Sequence, residues 1–206
     1  MLQDRLLNTA IDRFGRLGFD GASTRDIARA SDTAMSSITY HFGGKEGLYL
    51  ACADHIACQI RSRQTATLAL ADDAEKLSPN EALERILQAM DSVAMMMLHD
   101  DSAAWSRFVV REQLEPTEAF ERLYRGVMQD LLNGFEALLR RIRPKLERKQ
   151  LRALGLMIFG QALVMRAARA TVCKALEVGE LGPDEGNMLR GQLRRNIIAI
   201  LTGGTE

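Results

Sequence analysis

The sequence predicts an all-α protein, and three observations carry that expectation. Its four prolines, Pro79, Pro116, Pro144 and Pro183, each fall where an apolar rhythm of 3.6 residues stops or restarts. The 78 positions from Leu48 to Arg125 hold no glycine, which favours long helices. Period-two runs of β-branched and aromatic residues are absent, and no Asn-Gly or Asp-Gly turn separates two such runs.

Taken in order, Leu2, Leu6, Leu7, Ala10, Ile11, Phe14 and Leu17 share one helical stripe that Gly18 closes as a carboxy-terminal cap. After the turn Phe19–Ala22, Ser23, Thr24, Arg25 and Asp26 read as a capping-box variant opening a short helix through Ala30. The polar turn Ser31–Thr33 ends it. Ala34, Ile38 and Phe42 then share the inward face of a third helix, which Gly43 and Gly44 end, and Lys45 opens a long helix to about Leu70.

Beyond the acidic linker Ala71–Lys76, Ser78, Pro79 and Glu81 supply an N-cap, a first-turn proline and a capping-box partner for a helix to about Leu98. Another runs from Ser102 to Leu114. Thr117 starts a helix whose apolar positions, from Phe120 to Leu139, wrap far around it and predict a central place in its domain. Helices over roughly Glu147–Leu176 and Pro183–Leu201 complete a count of nine.

Composition removes several classes of protein. With 47% apolar and 26% charged residues the chain is neither disordered nor fibrous. Its longest stretch without Asp, Glu, Lys or Arg, Ala153–Met165, has 13 residues, short of the roughly 18 to 20 that a bilayer span needs. Charges at Asp4, Arg5, Asp12 and Arg13 interrupt any signal-peptide core. Three cysteines, Cys52, Cys58 and Cys173, form no disulfide framework and fit a reducing compartment, so a cytoplasmic location is expected. The 27 basic and 27 acidic side chains cancel, and any nucleic-acid partner has to be argued locally.

That local argument lies between residues 23 and 49. Two short helices joined by a three-to-four-residue turn form a helix-turn-helix layout. The outward face of the second carries Met35, Ser36, Ser37, Thr39, Tyr40 and His41, short or flat enough to approach a major groove, with hydroxyls for phosphates or base edges. Lys45, at the first turn of the following helix, adds a cation beside free backbone N–H groups, where a phosphate is well held; Thr24 and Arg25 do the same at the second helix. The third helix is uncharged from Ala34 to Phe42, so specificity rests on hydroxyls, aromatic contact and DNA shape instead of Arg-to-guanine forks.

The stretch STRDIARAS…SSITYHFGGKEGLY resembles the amino-terminal signature of the TetR family of one-component bacterial repressors, over about the first 50 residues. The resemblance implies DNA contact by Thr24, Arg25, Ser36, Ser37, Thr39, Tyr40, His41 and Lys45, and repression of a palindromic operator relieved by ligand. REQLEPTEAFERLY, Arg111–Tyr124, resembles the ligand-domain signature of the CecR-type branch. The chain departs from the family turn Ala-Gly-Val-Ser with Ser31, Asp32, Thr33 and Ala34, so Thr33 or Asp32 is expected to cap the third helix.

The expected organisation is therefore a DNA-binding domain over residues 1–50 and a ligand-sensing, dimerising helical domain over residues 51–206. A small-molecule effector is expected among Trp105, Phe108, Arg111, Phe120, Tyr124, Met128, Phe159 and Met165, a mostly apolar set with Arg111 as its polar contact. Arg166 and Arg169 read as a solvated rim, with anion recognition as the alternative. Leu151, Leu154, Ile158, Ala162 and Met165, with Leu189, Leu193, Ile197, Ile200 and Leu201, are expected to pair across a two-fold homodimer interface of the last two helices. Gly155 and Gly160 would allow close approach there, and Gly43, Gly44 and Gly47 would hinge the fourth helix.

Cys52, His55 and Cys58 do not read as a metal site, because the two cysteines point about 120° apart on one helix. Neither a His-Glu-x-x-His nor a Gly-x-Ser-x-Gly pattern occurs, and no enzyme, cofactor or metal is expected. A helical-bundle interaction module without DNA binding is the alternative function.

Overall fold

A computed structural model describes residues 2–69 and 71–203, and over these the chain forms helices, turns and bends without a strand. The helices are α1 (Leu2–Gly21), α2 (Thr24–Ala30), α3 (Met35–Phe42), α4 (Lys45–Arg63), α5 (Thr65–Ala69), α6 (Pro79–Leu98), α7 (Ser102–Leu114), α8 (Glu118–Leu123), α9 (Gln129–Ile142), α10 (Arg148–Ala167), α11 (Arg169–Ala175) and α12 (Pro183–Thr202). A 3-10 turn spans Ala74–Lys76 and a π-helical segment spans Tyr124–Met128. The chain divides into two compact units: residues up to Ser62 with Ala103–Met128, and Arg63–Ser102 with the residues from Gln129 on. No single helix among the described residues is long and apolar enough to cross a membrane.

The first unit is organised around aromatic contacts. Leu6, Leu7, Ala10, Ile11 and Phe14 of α1 are buried, as their spacing requires. Leu17, expected on the same stripe, is 53% exposed, and Gly18 at φ 76° breaks the helix immediately after it. The side chain of Leu2 lies outside the described residues. The Phe14 ring meets Tyr49 edge-on at 4.9 Å, and Tyr49 lies 4.6 Å from Phe108 of α7. Leu48, Cys52, Ile56 and Ile60 run along the buried face of α4.

Three expected helices prove broken, each beside a side-chain hydrogen bond that ties the segment to another element. The fourth ends at Arg63, short of the expected limit at Leu70, which lies outside the described residues. There the buried Gln64 turns onto α6, accepting from the Ser92 hydroxyl at 3.2 Å. The helix expected from Thr117 changes to π geometry at Tyr124–Met128, where Arg61 donates twice to the Gly126 carbonyl, at 3.0 and 2.9 Å. A Cβ on Gly126 would stand 2.7 Å from that of Ala57, so glycine permits this approach. The helix expected over Glu147–Leu176 bends by 82° between α10 and α11. Beside the bend, Arg166 donates to the carbonyls of Met97 and His99, and Arg169 to that of Leu98. These two arginines cap the carboxy terminus of α6, a structural duty in place of an open rim.

In the second unit the central helix is α6, not the segment after Thr117. Its capping box is complete: Ser78 accepts from Glu81 N, and the Glu81 carboxylate accepts from Ser78 N at 2.8 Å. Ala82, Ile86, Met90, Val93, Ala94 and Met97 are buried, a wide enough arc for α9, α10 and α12 to pack on it. Leu151, Ile158, Ala162 and Met165 of α10, with Leu193, Ile197 and Leu201 of α12, are buried within this unit. The expectation that they face a second subunit is therefore corrected. Gly155 likewise serves an internal contact: a Cβ there would stand 3.3 Å from Leu139 Cδ1.

Candidate functional site

The helix-turn-helix forms as expected in outline and differs in its caps. Ser23 accepts from Asp26 N at 3.4 Å, but the Asp26 carboxylate pairs with Arg29 at 2.7 Å, so only half of a capping box is made. Ser31, fully buried, returns its hydroxyl to the Ile27 carbonyl at 2.7 Å. Asp32 adopts φ 50°, the left-handed turn position that Asp tolerates better than most residues. Neither Thr33 nor Asp32 caps α3. Ala34 occupies that place with no side-chain bond, leaving the first N–H groups of the helix to water or a phosphate oxygen.

Along α3, Ile38 is buried and Phe42 half-buried, whereas Ala34, expected inward, is exposed at the helix entry. Met35, Ser36, Thr39, Tyr40 and His41 are exposed and Ser37 is half-buried. Tyr40 reaches 85% exposure and touches His41 edge-on at 4.9 Å. Arg25 is exposed and Thr24 half-buried at the start of α2. All nine expected contact residues lie on α2, α3 or the start of α4, six of them exposed and Thr24, Ser37 and Lys45 half-buried.

Lys45 is held instead of dangling: Nζ donates to the Asp20 carbonyl at 3.2 Å and lies 4.7 Å from the Phe19 ring centroid. Phe19 in turn meets Tyr49 edge-on at 5.2 Å. Gly43 at φ 75° and Gly44 at φ 125° make the turn that only glycine enters freely. Gly47 has a different role from the expected hinge. A Cβ there would fall 1.7 Å from the Phe42 carbonyl oxygen, so glycine lets the first turn of α4 pass the end of α3.

Three contacts from the segment 112–126 grip α4 along its length. Tyr49 donates to Glu112, Arg122 to Asp54 at 2.7 Å, and Arg61 to Gly126. Glu112 is 1% exposed and also accepts from the amide and hydroxyl of Thr117, the N-cap of α8. Burial, followed by the bond to Glu112, pushes the Tyr49 phenol well above its ordinary range and keeps it a donor.

Of the expected effector residues, Trp105, Phe108, Arg111, Phe120, Tyr124 and Met128 belong to the first unit, and Phe159 and Met165 to the second. Phe120 stacks on Tyr124 at 6.1 Å, and Phe159 meets Phe135 edge-on at 6.2 Å. Nε1 of Trp105 and Nε of Arg111 are buried without a hydrogen-bond partner among the described residues. Sequence reasoning missed Tyr49, Glu112, Asp54, Arg61 and Arg122, whose pairings span 63 to 68 residues and leave no local periodic trace.

Cys52 is fully buried with Sγ 3.9 Å from the Leu7 carbonyl, and burial pushes its thiol above the ordinary range; Cys58 is exposed. His55 is half-buried beside Gln59 at 2.8 Å. The three do not form a cluster.

A helix-turn-helix leading through a single long helix into a helical unit defines the class of TetR-type bacterial regulators. Residues 6–52 match the family described as bacterial regulatory proteins, tetR family. Residues 75–204 match the carboxy-terminal domain of the HTH-type transcriptional dual regulator CecR, and the chain belongs to this CecR type of the TetR family. CecR of Shigella flexneri is 37% identical over 133 residues, 62% of this chain and 58% of the relative. RaaS of Mycobacterium tuberculosis is 40% identical over 80 residues, 39% of this chain and 37% of the relative. The matches thus span less than two thirds of either relative's length. Two solved structures share the fold: FadR of Bacillus subtilis in complex with stearoyl-CoA, at TM-score 0.66 and 14% identity over 98% of this chain and 99% of that one, and a TetR-family regulator of Streptomyces coelicolor, at 0.66 and 17% over 100% and 96%.

Proposed function

We propose that this chain is a cytoplasmic, ligand-relieved transcriptional repressor that reads a palindromic operator as a homodimer. The observation that carries the reading is α3: one side chain, Ile38, anchors it, and its exposed face from Met35 to His41 holds hydroxyl and aromatic groups with no carboxylate. Residues 1–50 read DNA through Thr24, Arg25, Met35, Ser36, Ser37, Thr39, Tyr40, His41 and Lys45. The remainder senses ligand and dimerises, and no catalytic role is assigned to it.

The dimer surface proposed is the outward face of α10. Leu156, Met157, Gly160, Leu163 and Val164 recur at one-turn spacing there; all are exposed, Met157 to 71%, and space around Gly160 is open. This is the opposite side of α10 from the buried stripe, so of the two helices expected at the interface only α10 contributes to the proposed surface, and on a different face. Two copies suit two half-sites about one helical turn apart.

The effector proposed is an apolar or amphipathic small molecule with a hydrogen-bond acceptor. Support comes from Nε1 of Trp105 and Nε of Arg111 on α7, buried without a hydrogen-bond partner among the described residues, and from the stearoyl-CoA held by FadR on the same fold. An effector that shifts Phe120, Tyr124 or Met128 acts on α4 through the Arg122 and Arg61 contacts, and α4 begins at Lys45. The test is a genome-wide footprint followed by fluorescence anisotropy on the enriched duplex. Saturable, salt-sensitive binding to one palindrome is expected. Equal affinity for every duplex, or none, would favour the interaction-module reading.

A further inference from the structure

Between Arg140 and Arg152 stand seven basic side chains, Arg140, Arg141, Arg143, Lys145, Arg148, Lys149 and Arg152, against one acid, Glu147. In a chain whose charges cancel this excess is concentrated, and the fold concentrates it further. One carboxylate, Glu136, 12% exposed, gathers three guanidinium groups: Arg140 at 3.1 Å, Arg148 at 3.1 Å and Arg152 at 2.8 Å. Burial by itself would raise the Glu136 carboxyl. The bonds from Arg152, Arg148 and Arg140 outweigh it and hold the group below the usual range, so it stays ionised.

Glu136, Arg140 and Arg148 line an open depression of about 410 Å³ with Asn133, Arg141 and Glu75, and Arg152 reaches Glu136 from outside that lining. Three guanidinium groups of the lining, Arg140, Arg141 and Arg148, stand against two carboxylates, Glu75 and Glu136, and Arg152, bonded to Glu136 from beside the depression, brings the local excess to two positive charges. Glu136 engages Nη2 of Arg140 and Nε of Arg148. A guanidinium carries five N–H donors in a planar fork, so both keep donors for a second acceptor. From this we infer that the depression is a binding site for the phosphate chain of a small oligophosphate, a diphosphate or longer, seated on the Arg140 and Arg148 forks. A monoanion leaves a positive excess. A double helix is too wide to enter and meets only the rim.

The probe is inorganic tripolyphosphate, titrated calorimetrically into the full chain at about 0.1 M salt, where fields from scattered surface charges are largely screened. One saturable site per chain is expected. R148Q/R152Q should lose about tenfold or more in affinity, whereas K145Q/K149Q, removing as much charge away from Glu136, should lose about threefold or less. Should the arginine variant fold poorly, N133D leaves every arginine in place and an oxygen facing Arg152, and the added carboxylate should still cost about tenfold. Absence of saturable binding would overturn the inference, as would equal loss in both double variants or tighter binding, per phosphate, to a short non-operator duplex.

Discussion

The phenol of Tyr49 donates to Oε1 of Glu112 across 63 residues of sequence, at 2.5 Å and in a buried setting. Through this pair α4, whose first residue is Lys45, is joined to α7, and through Thr117 to the start of α8. Removing the hydroxyl leaves a 1% exposed carboxylate with fewer donors. Tyr49→Phe should therefore destabilise the fold by about 1.5–3 kcal/mol, the range for a hydrogen bond to a charged group. Urea unfolding followed by circular dichroism measures it; an unchanged midpoint would show that Glu112 is satisfied without Tyr49.

Tyr40 and Lys45 should separate in their effects. Tyr40, largely exposed, should be replaceable by Ala within about 0.5 kcal/mol of stability while operator affinity falls. Lys45→Ala should lower affinity and reduce the magnitude of the salt slope by about one, as for a lost phosphate contact. It should also loosen the α1–α4 junction that its bond to Asp20 and its approach to Phe19 hold. Anisotropy over a salt series reads both.

The two faces of α10 and α12 should respond differently to charge. Met157→Glu with Leu163→Glu, on the exposed face, should give folded monomers that lose operator affinity. Leu193→Glu with Ile197→Glu should unfold the second unit instead, at a cost beyond about 4 kcal/mol, because both side chains are buried in the α6 contact. Sedimentation velocity beside circular dichroism distinguishes the outcomes; folded monomers from the second pair would move the interface back to the inner stripe.

Gly47→Ala should be costly although alanine is the better helix former. Its methyl would overlap the Phe42 carbonyl, so α3 or α4 must shift, at about 1–3 kcal/mol. Operator affinity should fall with thermal midpoint. A midpoint at or above that of the parent would refute the steric reading.

His55 should impose a pH dependence. Burial lowers its pKa from 6.5 against a smaller opposing pull from Asp4, so the unfolded chain takes up the proton more readily. Stability is then full above the unfolded value, falls as pH drops below about 6.5, and levels off below the folded value. The neutral ring also keeps a nitrogen facing the Gln59 amide. His55→Gln should flatten urea midpoints between about pH 7 and pH 5.5; an unchanged profile would assign the dependence to other groups.

Local spacing was enough for much of this protein. The Phe14 and Ile38 anchors, the Ser78 and Glu81 capping box, the Gly43–Gly44 turn and the outward polar face of α3 follow from periodicity and cap chemistry within a few residues. Tertiary structure decided what depends on partners distant in sequence. A stripe such as Leu151, Ile158, Ala162 and Met165 announces that it will be buried without saying by what, and here α6 covers it and leaves Met157 outward. Helix breaks at Gln64, Gly126 and Ala168 arise because side chains or carbonyls find partners on other helices. The Tyr49–Glu112 bond and the three guanidiniums on Glu136 belong to the same class: directional contacts set by three-dimensional approach, which no 3.6-residue rhythm encodes.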